Sequence, residues 1–187
     1  MDVAVSRRRI TVHDYHRMGD AGILSPADRV ELIDGEIVAK PVIGPRHGAC
    51  VDRTNRALTT AVGTSAIVRV QGAVRLDLFH EPEPDIVLLR PRDDFYASAH
   101  PGPADILLVI EFAESSIDYD RDVKAHVYAK ARVVEYWLVD LNEDVVHVHT
   151  GPANAVYRSV ITCRRGQSVA PRALWSCTIA ALDLLGD

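Results

Sequence analysis

The 187 residues carry a formal charge of −5, with 48% hydrophobic and 25% charged side chains, the balance of a folded chain rather than a disordered one. The excess of acids argues against a protein that grips nucleic acid over a broad basic face, because phosphate neutralisation by Lys and Arg supplies most non-specific affinity. No stretch approaches the roughly eighteen uninterrupted apolar residues of a membrane helix, and residues 1–10 are too short and too basic for a signal peptide. The length suits one domain spanning 1–187, and a cytoplasmic location is expected. Cys50, Cys163 and Cys177 are odd in number, far apart and outside any C-x-x-C pair, so free thiols are expected. The basic clusters at residues 7–9 and at Arg164-Arg165 read as a solvated tail and a loop.

Thr11 is placed to open a short helix, and Ser25-Pro26-Ala27-Asp28 reads as a second helix start or a turn. In Glu31-Leu32-Ile33-Asp34-Gly35-Glu36-Ile37-Val38 an Asp-Gly pair sits between alternating apolar residues, the pattern of a tight β-hairpin. Residues 41–45 form a loop. From 47 to 62, Val51, Ala57, Leu58, Ala61 and Val62 recur near helical spacing, and Gly63 ends the helix. Residues 67–78, 85–89 and 105–112 are rich in Val, Ile and Leu and predict three strands of one sheet. The run Ile106-Leu107-Leu108-Val109-Ile110 is apolar at every position, so its strand is central, with both faces covered.

Over residues 117–131, Val123, Val127 and Ala131 mark the buried face of a half-buried helix. Strands follow at 136–141 and 145–150, an edge strand at 156–162, and a closing helix at 178–185 capped by Thr178 and stopped by Gly186. This order predicts an α/β sandwich in which the connection from Phe112 to Tyr136 is a helical crossover.

Asp85 follows Pro84 at a strand start, and Glu111 lies near the end of the most apolar strand. A carboxylate at such a position is costly to desolvate, so it either faces solvent or is held by a cation. On neighbouring strands the two acids can converge on a hard cation such as magnesium, which completes its shell with water and phosphate oxygens and polarises a phosphodiester. Lys124, at the border of the buried stripe with Tyr128 one turn on, can point to the sheet end, where an ammonium orients water or offsets charge on phosphate. Plainer readings stand beside these: Asp85 as a strand-entry turn residue, Glu111 paired with an arginine, Lys124 snorkelling along the core edge.

Accessory candidates are His47, at a helix start suited to phosphate, Gln71 in mid-strand, Tyr128, and Glu31 and Glu36 flanking the Asp-Gly turn; a solvated hairpin face is the plainer reading of the two glutamates. His147 and His149 alternate on one strand as a candidate zinc pair, without a third ligand at suitable spacing, so a surface ladder is the plainer reading.

Pro84-Asp85 followed by a strand ending in Glu111 resembles the motif of the PD-(D/E)XK nuclease superfamily. A longer ordered set resembles the Uma-two family of restriction-endonuclease-like proteins. It comprises the hairpin segment 31–38, His47, Gln71-Gly72 with Val74-Arg75-Leu76, Glu83-Pro84-Asp85-Ile86-Val87 and Pro103-Ala104-Asp105 leading to Glu111. Ser115-Ser116 before Asp120-Arg121, then Lys124, Tyr128-Ala129 and Glu135-Tyr136-Trp137-Leu138-Val139-Asp140 complete it, so the likeness runs from Glu31 to about Tyr157.

The resemblance implies a restriction-endonuclease-like α/β/α sandwich with a central mixed sheet and an N-terminal β-hairpin, its core at about residues 30–160. It further implies hydrolysis of phosphodiester bonds in DNA with Mg2+, or Mn2+ as substitute. Asp85, Glu111 and the main-chain carbonyl of Phe112 would be metal ligands, and Asp85, Glu111 and Lys124 the catalytic set. The superfamily motif places its lysine two positions after the acid, where this chain has Ala113; the resemblance implies that Lys124 has taken over that role. The alternative is a non-catalytic nuclease fold that serves as a binding or assembly module. DNA is the expected partner, with no membrane, and cutting both strands favours a homodimer.

Overall fold

In the computed structural model, which describes residues 7–25 and 27–186, the Thr11 hydroxyl accepts the Asp14 amide at 3.1 Å and opens α1, Val12–Asp20. Ser25 and Asp28 close a turn, the Asp28 amide donating to the Ser25 carbonyl; Pro26, between them, lies outside the described residues. The hairpin follows as β1, Val30–Ile33, and β2, Glu36–Ala39. Asp34 and Gly35 adopt φ of 52° and 73°, the two positive values of a type I′ turn. A Cβ at Gly35 would stand 2.6 Å from that of Arg9, so the close approach also requires glycine.

Helix α2, Pro45–Val62, begins with proline in its first turn, ends at Gly63 and buries Cys50, Val51, Thr54, Leu58 and Val62. Six strands form the central sheet: β3 Ile67–Val70, β4 Ile86–Leu89, β5 Ile106–Ala113, β6 Glu135–Asp140, β7 Val145–Ala153 and β8 Val156–Arg164, side by side in chain order. All neighbours are antiparallel except β5 and β6. A parallel pair needs a crossover. It is made by α3, Ile117–Tyr119, a π-helical turn over Asp120–Lys124, and α4, Ala125–Lys130.

Every residue of β5 is buried. Leu108, Ile110 and Phe112 pack into the layer shared with α2, and Val109 and Ala113 into the layer shared with α4. Strand alternation therefore puts Glu111 on the face that α4 covers. The architecture is an α/β sandwich with a central mixed sheet flanked by helices and an N-terminal hairpin, the arrangement that the resemblance implies.

Three expectations change. The strand expected over 67–78 stops at Val70, because Gln71 adopts φ of 46° and Pro82 and Pro84 offer no amide to a continuing ladder. Val74 and Leu76 stay buried by donating to the carbonyls of Pro82 and His80. In the crossover the π turn shifts the helical phase, so Val123 is 37% exposed while Lys124 turns inward. The closing helix shortens to α5, Ala181–Leu185, because Ile179–Ala180 (β10) pairs with Ser168–Val169 (β9); the Asp183 carboxylate, not Thr178, receives the free Ala180 amide. Arg7 to Arg9 and Arg164-Arg165 are exposed, as expected, Arg9 and Arg165 forming surface pairs with Asp34 and Asp144.

The three cysteines are buried and free. Among the described residues no helix is long and apolar enough to cross a membrane.

Leu108→Ala, in the middle of β5 with no exposed surface, is expected to cost about 2–5 kcal/mol. The check is a shift in the urea midpoint at unchanged slope. A negligible shift would show that this face of the sheet is not tightly packed.

Candidate functional site

The antiparallel pairing of β4 with β5 matches Ile86 to Ile110, so Asp85 and Glu111 meet one step further along. The Asp85 amide donates to Glu111 Oε2 at 3.3 Å, and the Phe112 amide donates to Asp85 Oδ2 at 3.0 Å. The hairpin adds Glu31, whose Oε2 accepts the Glu83 amide at 3.1 Å.

From the crossover, Lys124 Nζ reaches Glu111 Oε1 at 3.0 Å, Glu31 Oε1 at 3.2 Å and Asp120 Oδ1 at 3.8 Å. The Tyr128 hydroxyl donates to Glu111 Oε1 at 2.8 Å. Ser116 donates to Asp120 Oδ2 at 2.6 Å, and the Tyr136 hydroxyl to the Asp120 carbonyl at 3.1 Å. His47, in the first turn of α2, holds Nε2 3.2 Å from Asp85 Oδ1, close enough for charge attraction but outside hydrogen-bond alignment.

Four carboxylates and one lysine, none more than 6% exposed, thus meet at the end of the sheet. They open on a cleft of about 430 Å³ whose walls also include Arg29, Lys40, Ser115 and Tyr119.

Burial pushes the Glu111 carboxyl up to about 8; Lys124 opposes the rise and Asp85, Asp120 and Glu31 add to it. Burial raises Asp120 as well, against the pull of Lys124 and Ser116. Burial alone would raise Asp85, but His47, the Phe112 amide and Lys124 outweigh it and hold that carboxyl below its ordinary value. Burial would lower His47, yet the Asp85 charge, followed by Glu111 and Asp120, raises it. For Lys124 the desolvation cost is overcome by Glu111, Glu31 and Asp120, which drive the ammonium far up. Lys124 is therefore a fixed charge and donor rather than a base.

The donor set fits a hard divalent cation. Every carboxylate oxygen named is a hard ligand, and four acids against one ammonium leave negative charge in a low-dielectric pocket.

Of the sequence candidates, Asp85, Glu111, Lys124, Glu31, His47 and Tyr128 come together here, with Phe112 in the cleft wall. Two do not join them. Gln71 is exposed and touches the site only through its amide, which donates to the Asp85 carbonyl at 3.0 Å. Glu36 is exposed at the hairpin turn beside Arg7.

Sequence reasoning names Ser116 and Asp120 only as part of the family pattern, without a site role, and misses Arg29 and Lys40. Ser116, Asp120 and Lys124 stand four apart, a spacing that aligns side chains on one helix face; Arg29 and Lys40 are legible only from the hairpin's placement. His149 is not part of a surface ladder: it is buried between Tyr136 and Tyr157, and desolvation pushes its imidazole down to about 4. No third ligand joins it and His147 among the described residues.

A mixed sheet with acids on adjoining strand ends, faced by a crossover helix that carries a lysine, defines a nuclease fold of the restriction-endonuclease-like class. The Uma2 family model, described as "Putative restriction endonuclease", matches residues 12–181. The chain belongs to this Uma-two family. Among solved structures it is similar to "a putative nuclease belonging to DUF820" from Anabaena variabilis, with 17% identity and a TM-score of 0.71 over 94% of this chain and 97% of that one. At that identity the likeness speaks for the fold. No curated protein matches the chain.

Because the folded Glu111 pKa lies above its ordinary 4.5, the contribution of this group to stability is present below that value and is lost as pH rises to about 8. Without divalent metal, Glu111→Gln is expected to remove this decline. The stability difference between variant and wild type should move in the variant's favour from about pH 5 to about pH 8.5, read by urea unfolding. A difference that stays constant would show that Glu111 titrates normally.

Proposed function

We propose that the chain is an endonuclease that hydrolyses phosphodiester bonds in DNA, using magnesium, or manganese in its place, held by Asp85, Glu111 and the main-chain carbonyl of Phe112. The observation that carries this reading is the convergence of three buried carboxylates on the Lys124 ammonium, with Nζ 3.0 Å from Glu111 and a fourth buried carboxylate, Asp85, beside Glu111. Such an excess of buried negative charge is costly unless a cation shares it. When bound, magnesium supplies positive charge that polarises the phosphodiester and acidifies the attacking water.

The residues divide the remaining work. Lys124, oriented by Glu111, Glu31 and Asp120, donates to the phosphate and offsets the charge that develops on it. As the water oxygen bonds to phosphorus and the bond to the sugar oxygen breaks, one proton must leave the water and one must reach the leaving oxygen. His47, in the cleft wall with its pKa raised by Asp85, is the group suited to hold or return a proton. Arg29 and Lys40 supply phosphate contacts in a chain that is otherwise acidic. The reading includes one domain over 1–187, duplex DNA cut by the paired sites of a homodimer, and a cytoplasmic location.

The 3.0 Å contact of Lys124 with Glu111 supports an enzyme over a non-catalytic module. Cleavage of plasmid and single-stranded DNA with Mg2+ or Mn2+ tests the choice. Asp85→Ala, Glu111→Ala and Lys124→Ala are each expected to reduce the rate at least about 100-fold. Equal rates in wild type and variants would overturn the proposal, and an intact fold without metal binding by calorimetry would favour the module.

A further inference from the structure

We propose that His16, Glu81 and His100 form a second metal site, of different chemistry, selective for zinc or a similar borderline transition ion. One ligand atom from each residue lies within 4.8 Å of the other two. His16 Nε2 is 2.6 Å from Glu81 Oε1, and the His16 and His100 rings sit 5.9 Å apart between centroids.

The independent observation is Glu81 itself. It is 3% exposed, and its second oxygen, Oε2, is buried with no hydrogen-bond partner among the described residues. An unpartnered carboxylate oxygen carries the full cost of its desolvation. The histidine pair accounts for one oxygen; a shared cation accounts for both.

The three ligands are held by separate backbone ties. Glu81 is bridged to Leu32 of β1, its amide donating at 2.8 Å and its carbonyl accepting at 3.4 Å. His16 stands on α1, whose first amide, Val12, donates to the Leu78 carbonyl at 2.8 Å. His100 precedes Pro101, whose carbonyl accepts the Arg75 amide at 2.9 Å.

Two imidazoles and one carboxylate are the ligand set of three-residue zinc sites, which leave a fourth position for water or another ligand. They differ from the all-oxygen set around Glu111, which suits a harder ion. Binding replaces the direct contact between His16 and Glu81 and joins α1 and the 99–102 segment to the neighbour of the strand that delivers Glu31 to the cleft. The site is thus placed to fix the hairpin.

Zinc sulfate titrated into metal-free full-length protein by calorimetry, with magnesium in excess, tests the proposal, and visible absorption of Co2+ in place of zinc reports the ligand geometry. Wild type and Asp85→Ala/Glu111→Ala are expected to bind one zinc ion tightly and show the cobalt bands. His16→Ala/His100→Ala, at two exposed positions, is expected to lose both, and zinc is expected to raise the Tm of wild type and of the aspartate–glutamate variant but not that of the histidine variant.

The single variant His100→Ala leaves the His16–Glu81 pair intact and guards against misfolding of the double variant. It too is expected to lose the zinc-induced rise in Tm. Unchanged zinc binding in either histidine variant, loss of binding only in the aspartate–glutamate variant, or no binding by wild type would overturn the proposal and leave His16 and Glu81 an ordinary ion pair.

Discussion

The ammonium of Lys124 ties together carboxylates from three stretches of chain, the hairpin, the end of β5 and its own helix, and Glu111 in turn accepts the amide of Asp85 at the entry to β4. Each of these charges is expensive to bury alone, and removing one partner of a buried pair typically costs about 3–5 kcal/mol because the other is left uncompensated. The sheet topology makes the meeting possible. The antiparallel pairing of β4 with β5 sets Asp85 beside Glu111, and the parallel pairing of β5 with β6 forces a helical crossover over the face to which Glu111 points. Hydrophobic burial builds the platform, and electrostatics decides what stands at its end.

That division explains how much could be read from sequence. The unbroken apolar run of β5, the Asp-Gly turn and the crossover between Phe112 and Tyr136 follow from periodicity and turn chemistry, and all appear in the fold. Asp85 and Glu111 could be paired on paper because they terminate adjacent strands. The depth of Lys124 could not, since an ordinary helical period buries Val123 and leaves the lysine at the border; only the wider π turn brings it inside. Asp120 stands in the family pattern without a role, because Arg121 and Asp122 beside it are the mark of a solvated helix face, which they indeed form. Gln71 misled for the opposite reason: a left-handed backbone at a polar residue is invisible to a count of β-branched neighbours.

The two clusters also show how one short hairpin can serve opposite chemistries. Glu31 enters the cleft lined by hard oxygens, while its neighbour Leu32 bridges to Glu81, which faces two imidazoles. Adjacent residues of a strand point to opposite sides, so a one-residue shift of register in β1 would turn Glu31 out of the cleft and move the backbone bridge that holds Glu81.

Ala113 deserves a last look beside Lys124. It occupies the position two past Glu111, on the same face, with no exposed surface, and packs in the layer that contains Ala125 and Tyr128. A long side chain there would have to displace the helix that now delivers the ammonium. A chain bearing lysine at both positions would therefore be overfilled, and one bearing it at neither would leave the acids without their counter-charge. The two positions form a single either-or choice: the counter-charge to the acids is anchored on the strand or on the helix, and the small side chain of Ala113 leaves the helix free to carry it.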